Sequence, residues 1–99
     1  MIVGVDIGTQ SLKVAVTDDG LQVRGEAWTS YRPHSPRPGW AEQDPALWER
    51  ALAPTIGKAL AAASKTSRDV ITLGLCGQLD GCLAVDAGGQ ALSTCLIWM

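Results

Sequence analysis

The sequence predicts an α/β domain in three layers, built on a mixed sheet that opens with an antiparallel meander. Three observations carry this. Residues 2–7 and 11–17 alternate apolar and polar positions and are joined only by Gly8-Thr9-Gln10; that link is too short for a crossover helix, so the two runs form a hairpin. A helical pattern begins at Asp44-Pro45. After it comes "VITLGLC", residues 70–76, a near-continuous apolar run of the kind found in parallel strands buried on both faces.

Taken in order, the first strand places Val3, Val5 and Ile7 on one face and Ile2, Gly4 and Asp6 on the other. The second sets Leu12, Val14 and Val16 against Lys13, Ala15 and Thr17. "DDG" at 18–20 is a turn signal, and residues 21–30 complete the meander. "YRPHSPRPGW" is a Pro-rich connector that cannot join a sheet interior, with His34 as a solvated loop residue. Asp44 reads as a helix N-cap with Pro45 in the first helical position. Trp48, Leu52, Ile56, Ala59, Leu60 and Ala63 recur at helical spacing as the apolar face. Pro54 falls inside this helix and is expected to kink it, at about 3 kcal/mol, with no local compensation in the sequence. Residues 70–76 are expected to form a buried central strand, and 81–86 with 91–98 a hairpin around "AGGQ". The apolar pattern reaches Met99 without a terminating turn, so the chain reads as cut there, with any second domain outside it.

Ninety-nine residues suffice for one small domain, with a radius of gyration of about 13 Å if compact and roughly 60–65% of the unfolded surface buried. The composition is 46% hydrophobic and 18% charged with a mean hydropathy of +0.12, which is globular. A net charge of −2 and a pI near 5.1 give no electrostatic reason to expect nucleic acid or an anionic membrane as partner. No basic leader precedes an apolar stretch, and no run reaches the length of a membrane span. Cys76, Cys82 and Cys95 are odd in number and form no CxxC pair; reduced thiols in a cytoplasmic protein are expected. They and His34 show no zinc-type spacing.

Asp6 raises the chemical question, because a carboxylate in an apolar run costs free energy unless something meets it. Two familiar phosphate cradles, GxxxxGK[ST] and GxGxxG, are absent. A third solution is a tight hairpin turn whose backbone N–H groups and hydroxyls touch phosphate, with an acidic residue at the strand end engaging Mg²⁺ through waters. Asp6-Ile7-Gly8-Thr9 fits it: Gly8 allows close approach, Thr9 and Gln10 can donate, and Lys13 shares Asp6's side of the pleat as a cation. Asp6 also reads as a strand-end residue bonded to its turn, and Lys13 as an edge-strand charge that discourages aggregation.

"GVDIGTQSLKVAVTD" resembles the first phosphate motif of the actin-like ATPase superfamily, whose domains have a ribonuclease-H-like fold. "PGWAEQDPALW", "LGLCGQLDGCLAVD" and "CLIWM" narrow the resemblance to the FGGY carbohydrate kinases, nearest their xylulokinase-like members, over the whole chain and in order. The resemblance implies that Asp6 is the Mg²⁺- and phosphate-side aspartate, that Gly8, Thr9 and Gln10 form the phosphate turn, and that Lys13 contacts phosphate. It also implies that Gln78-Leu79-Asp80 reaches the sugar hydroxyls and that Trp98 walls the sugar site. Leu79-Asp80 stands where xylulokinases commonly carry Met-His, which leaves the sugar open. The general base, the adenine-binding domain and the FGGY signature would lie beyond residue 99, making residues 1–99 the first part of an N-terminal, sugar-binding domain.

The implied activity is ATP-dependent, Mg²⁺-assisted, in-line transfer of the γ-phosphate to a hydroxyl of a small ketose or polyol. The 99 residues alone are expected to be inactive and to self-associate through an exposed apolar edge. Plainer readings stand beside these. Asp80 fits a turn before Gly81, and Trp98 fits a core aromatic; Trp40 with Glu42-Gln43-Asp44 could shape the sugar cleft, but is explained most cheaply by Asp44 capping the helix and Glu42 facing water. At the level of the whole chain, the rivals are an actin-like ATPase that is no kinase and a free-standing interaction module.

Overall fold

In a computed structural model that describes residues 1–99, strands β1 (Ile2–Ile7), β2 (Ser11–Thr17) and β3 (Val23–Ser30) form the predicted antiparallel meander. A two-residue strand β4 (Glu42–Gln43) precedes helix α1 (Pro45–Ala62). A 3₁₀ turn (Ser67–Asp69), strand β5 (Thr72–Gly77) and a short β6 (Cys95–Leu96) follow. The main sheet is mixed, in the order β3-β2-β1-β5. β5 runs parallel to β1 with Val3 opposite Leu73 and Asp6 opposite Cys76. β4 and β6 make a small antiparallel pair of their own.

Val3, Val5, Leu12, Val14 and Val16 are buried on one face of the sheet, under Ala51, Ala59 and Leu60 of α1. The predicted strand faces are therefore correct, but the helix face is turned by about one position. Its buried centre is Ala51, Thr55 and Ala59, with Leu52, Ile56 and Ala63 at its margin. Small residues occupy the centre because β3 comes very close to the helix. A Cβ on Gly25 would collide with the Ala59 carbonyl and the Ala63 amide. Thr55 is wholly buried yet satisfied, with its hydroxyl donating to the Ala51 carbonyl at 2.6 Å and lying 2.6 Å from the Thr29 hydroxyl.

Asp44 caps α1 as expected, accepting from the Ala46 amide at 2.9 Å, with Pro45 beginning the helix. The helix runs unbroken through Pro54. Pro54 and Arg50, whose carbonyl it leaves without a helical donor, both lie on the exposed side, where that carbonyl is open to solvent. The helix ends with Ser64 at φ 55°, and its last carbonyls are taken by Ser64 N–H to Ala61 O and Lys65 N–H to Leu60 O. This is a Schellman ending with serine where glycine is usual.

Three expectations need correction. β5 is parallel but lies at the sheet edge, and all six of its residues are exposed, because α1 packs across β2 and β3 and leaves β5 uncovered. Of the three layers predicted, the sheet and one helical layer are present; the opposite face, carrying Asp6, Lys13, Glu26 and Trp28, is bare. The radius of gyration is accordingly 15.1 Å. The hairpin at 81–98 does turn back on itself, but through single bridges Cys82–Leu96 and Val85–Ala91, since β6 gives its other edge to β4.

The meander and this hairpin contain the same turn twice. Asp18 and Asp86 each accept two amides on Oδ1, from Gly20 and Gln22 and from Gly88 and Gln90, at 2.9–3.0 Å. The fourth position is left-handed in both, Leu21 at φ 62° and Gly89 at φ 81°. Leu21 accounts for β3 beginning at residue 23 rather than 21, and it carries the strain that glycine avoids in the second copy. Leu21→Gly is expected to stabilise the protein by about 0.5–1 kcal/mol, the relief of left-handed strain outweighing the added freedom of the unfolded chain. A denaturation midpoint that falls would show that Leu21 gains more from its surroundings than its backbone loses.

Candidate functional site

The β1–β2 turn lies at the end of the sheet where β5 also ends, and this brings the predicted residues together. One cleft, of about 360 Å³, is lined by Asp6, Gly8, Thr9, Gln10, Ser11, Lys13, Trp98 and Met99. A second, of about 460 Å³, is lined by Asp6, Gly8, Thr9, Gly77, Gln78, Leu79, Asp80 and Trp98. All nine candidate residues border one or both, and Asp6, Gly8, Thr9 and Trp98 are common to the two. A larger basin of about 660 Å³ on the bare sheet face is the hollow of an uncovered, twisted sheet. It shares Asp6 and Lys13 with the clefts at the turn and adds Glu26, but most of its lining, with Gly4, Ala15, Gly74 and Leu75, is small or apolar.

Asp6 is exposed rather than buried. Its Oδ1 receives only a weak contact from the Cys76 thiol at 3.7 Å. Lys13 sits directly across the hairpin from it, yet the sole ion pair in the chain is Arg24–Asp18. The carboxylate and the ammonium are thus neighbours that leave each other free. β2 is an interior strand, which removes the edge-strand explanation for Lys13. Trp98 is 60% exposed and donates from Nε1 to the Thr9 hydroxyl at 3.2 Å, so it is no core residue.

Two residues outside the nine candidates organise the turn. Gln43, 1% exposed, donates from Nε2 to the Thr9 carbonyl at 2.5 Å. Its Oε1 accepts from Gln78 Nε2 at 2.7 Å, while Gln78 Oε1 lies 3.4 Å from the Thr9 hydroxyl. A carbonyl accepts only, so the Gln43 amide must face it with nitrogen, and the donor directions round the ring follow. On the other side, Tyr31 donates its hydroxyl to the Gly8 carbonyl at 2.5 Å and its amide to the Gln10 carbonyl at 3.0 Å. The only sequence signal for Gln43 is a polar residue between an alternating stretch and a helix cap; for Tyr31 there is none beyond its place at the end of β3. Glu42, expected to face water, is half-buried and accepts from the Thr94 hydroxyl at 2.8 Å. Asp80 has φ 59°, a conformation costly for most non-glycine residues and least so for Asp and Asn.

Burial, and then the charge of Asp6, push the Tyr31 phenol up to about 12 from the usual 10. A raised acid pKa means that the phenol's contribution to stability is complete below pH 10 and lost as pH rises through 12. Tyr31 is the only tyrosine in the chain, so an ultraviolet difference titration reads it directly. A midpoint near 10 would mean that the phenol is not held buried beside Asp6 in solution.

A meander with a tight first turn, then a helix and a strand returning parallel to β1, is the opening of an actin-like ATPase domain of ribonuclease-H-like fold. The chain belongs to the FGGY family of carbohydrate kinases, whose N-terminal domain matches residues 1–99. It is 35% identical over 101 residues to the xylulose kinase of Escherichia coli, covering 99% of this chain and 20% of that protein. It is 31% identical over 99 residues to the glycerol kinase of Rhizobium rhizogenes, covering 98% and 20%. The crystal structure of a xyloylose kinase from Brucella ovis superposes with a TM-score of 0.90 at 34% identity, over 97% of this chain and 20% of that one. The chain spans about a fifth of the length of the curated relatives it matches.

Proposed function

We propose that residues 1–99 supply the phosphate turn and part of the acceptor site of an ATP-dependent kinase that phosphorylates a hydroxyl of a small ketose or polyol. The observation that carries this is the convergence of all nine candidate residues on two adjoining clefts that share Asp6, Gly8, Thr9 and Trp98. The phosphate side is Gly8, Thr9, Gln10 and Lys13; the acceptor side is Gln78, Leu79, Asp80 and Trp98. Relatives named for xylulose and for glycerol are consistent with a polyhydroxylated acceptor of three to five carbons, and Leu79-Asp80 leaves its identity open.

No group of three His, Cys, Asp or Glu side chains is placed to hold a metal by itself. The unpaired Asp6 carboxylate beside the turn fits Mg²⁺, which keeps most of its waters and takes one or two carboxylates together with substrate phosphates. Bound there, the ion would offset phosphate charge during transfer. The turn's amides and Lys13 would hold phosphate oxygens, and Gln78 and Asp80 would orient the acceptor hydroxyls. The base that takes the hydroxyl proton, and the adenine site, are assigned to the part of a longer protein outside these residues. The complete gene product, given ATP and Mg²⁺, should release ADP with one or a few members of a panel running from glycerol to the ketopentoses. ADP release indifferent to every acceptor would favour an ATPase that is no kinase.

Asp80 provides a narrower test. A hydrogen bond to a charged group is worth roughly 1.5–3 kcal/mol, so Asp80→Ala should raise the KM for the acceptor about tenfold or more and leave that for ATP nearly unchanged. Asp80→Asn tolerates the left-handed backbone and separates loss of charge from strain. Equal effects on both substrates would make Asp80 a turn residue only.

A further inference from the structure

The turn between β1 and β2 has three carbonyls, on Gly8, Thr9 and Gln10, and all three are held by side-chain or main-chain donors from just two residues, Tyr31 and Gln43. The Gly8 amide is used within the turn, donating to Ser11 O at 2.9 Å. The amides of Thr9 and Gln10 have no acceptor anywhere in the chain, and Gln10 is exposed. With the carbonyls tied back, two successive donors are left free at the head of a cleft that also holds Lys13. Such an arrangement of consecutive N–H groups suits an anion. Gln43 is in addition the only strut that crosses from the turn to Gln78 on the acceptor side through a buried side chain.

We infer that Gln43 and Tyr31 are positioning residues that hold the phosphate turn open to its ligand, Gln43 also tying that turn to the acceptor-side segment. This rests on reading the turn as a phosphate site. Neither residue lines either cleft. Each acts by fixing a carbonyl that would otherwise compete for the free amides or turn toward the phosphate and repel it. Neutral histidine carries one donor and one acceptor, the same pair that Gln43 uses, whereas methionine matches its bulk and has no N–H.

The test measures binding of β,γ-imido ATP with Mg²⁺ to the complete gene product by calorimetry, with the thermal midpoint recorded in parallel. Gln43→Met and Tyr31→Phe should each weaken binding about three- to tenfold, the loss of one hydrogen bond's worth of positioning, and Gln43→His should restore it to within about twofold. A purely structural role would lower the thermal midpoint without changing affinity in the folded protein. If Gln43→Met fails to fold, Tyr31→Phe, which removes one oxygen, decides alone. Binding at wild-type strength in the folded variants overturns the inference and leaves the phosphate site standing; a wild-type protein that does not bind the analogue overturns both.

Discussion

Asp6→Ala and Asp6→Asn, made in the complete gene product, are expected to lower turnover about a hundredfold or more while leaving stability within about 0.5 kcal/mol of wild type. The two halves of this expectation have separate origins. Stability is spared because the carboxylate is exposed, forms no ion pair and meets only a thiol at 3.7 Å. Its removal opens no cavity and orphans no buried partner. On the proposed function, activity suffers because the same carboxylate borders both clefts, where it would face a phosphate-bound cation and the transferring group together. Turnover should be measured at saturating ATP, Mg²⁺ and acceptor, with unfolding followed by circular dichroism. A variant that keeps more than half of wild-type turnover would remove Asp6 from the reaction. A variant that unfolds would show that the strand end depends on it.

The largest structural effect is expected at Gly25. The Cβ of alanine there would press on the Ala59 carbonyl, the Ala63 amide and the Ala63 methyl. These are mainly backbone atoms of the last helical turn, which cannot swing aside. To admit the methyl, the C-terminal end of α1 must lift from β3, opening the buried cluster around Ala59 and Leu60. Overpacking of this kind costs about 1–3 kcal/mol, and the upper end applies where backbone is the obstacle. Gly57 is the internal control. It lies on the exposed side of the same helix, and a Cβ there meets nothing within 4 Å, so Gly57→Ala should stabilise by about 0.5–1 kcal/mol. Opposite signs for the two substitutions in one denaturation series are the expected result; the same sign would show that the approach of helix and strand is looser than described.

Much of the fold was legible because local rules decide it. The three-residue link at 8–10 permits only a hairpin, "DDG" and "AGGQ" announce turns, and Asp44-Pro45 starts a helix where it should. β5 misled because apolar composition reports what a strand is suited to lie against, and residues 1–99 place nothing on it. The helix face was misjudged by weighting large side chains, when the close approach at Gly25 demands small ones. At the site, the residues carried by the phosphate-turn and acceptor-segment motifs all reach the clefts. The ties of Gln43 and Tyr31 to the turn are not legible because a bond to a main-chain carbonyl leaves no pattern in the sequence: the partner is backbone, present at every position. Glu42 was missed for a related reason, since its bond to Thr94 spans 52 residues.

The parallel pairing of β5 with β1 also bears on the order in which the molecule assembles. Asp6 and Cys76, neighbours in that pairing, are 70 residues apart in sequence, while the contacts of β1, β2 and β3 are made between adjacent segments. Closing the longer loop costs chain entropy before any contact repays it. The hairpins should therefore form early, with β5 docking afterwards. Hydrogen exchange should find the β5 amides opening at lower free energy than those of β2. Since β5 leads directly into Gln78, Leu79 and Asp80, the turn at residues 8–10 would take shape before the proposed acceptor side exists, and on that proposal an acceptor ligand would secure the final docking step.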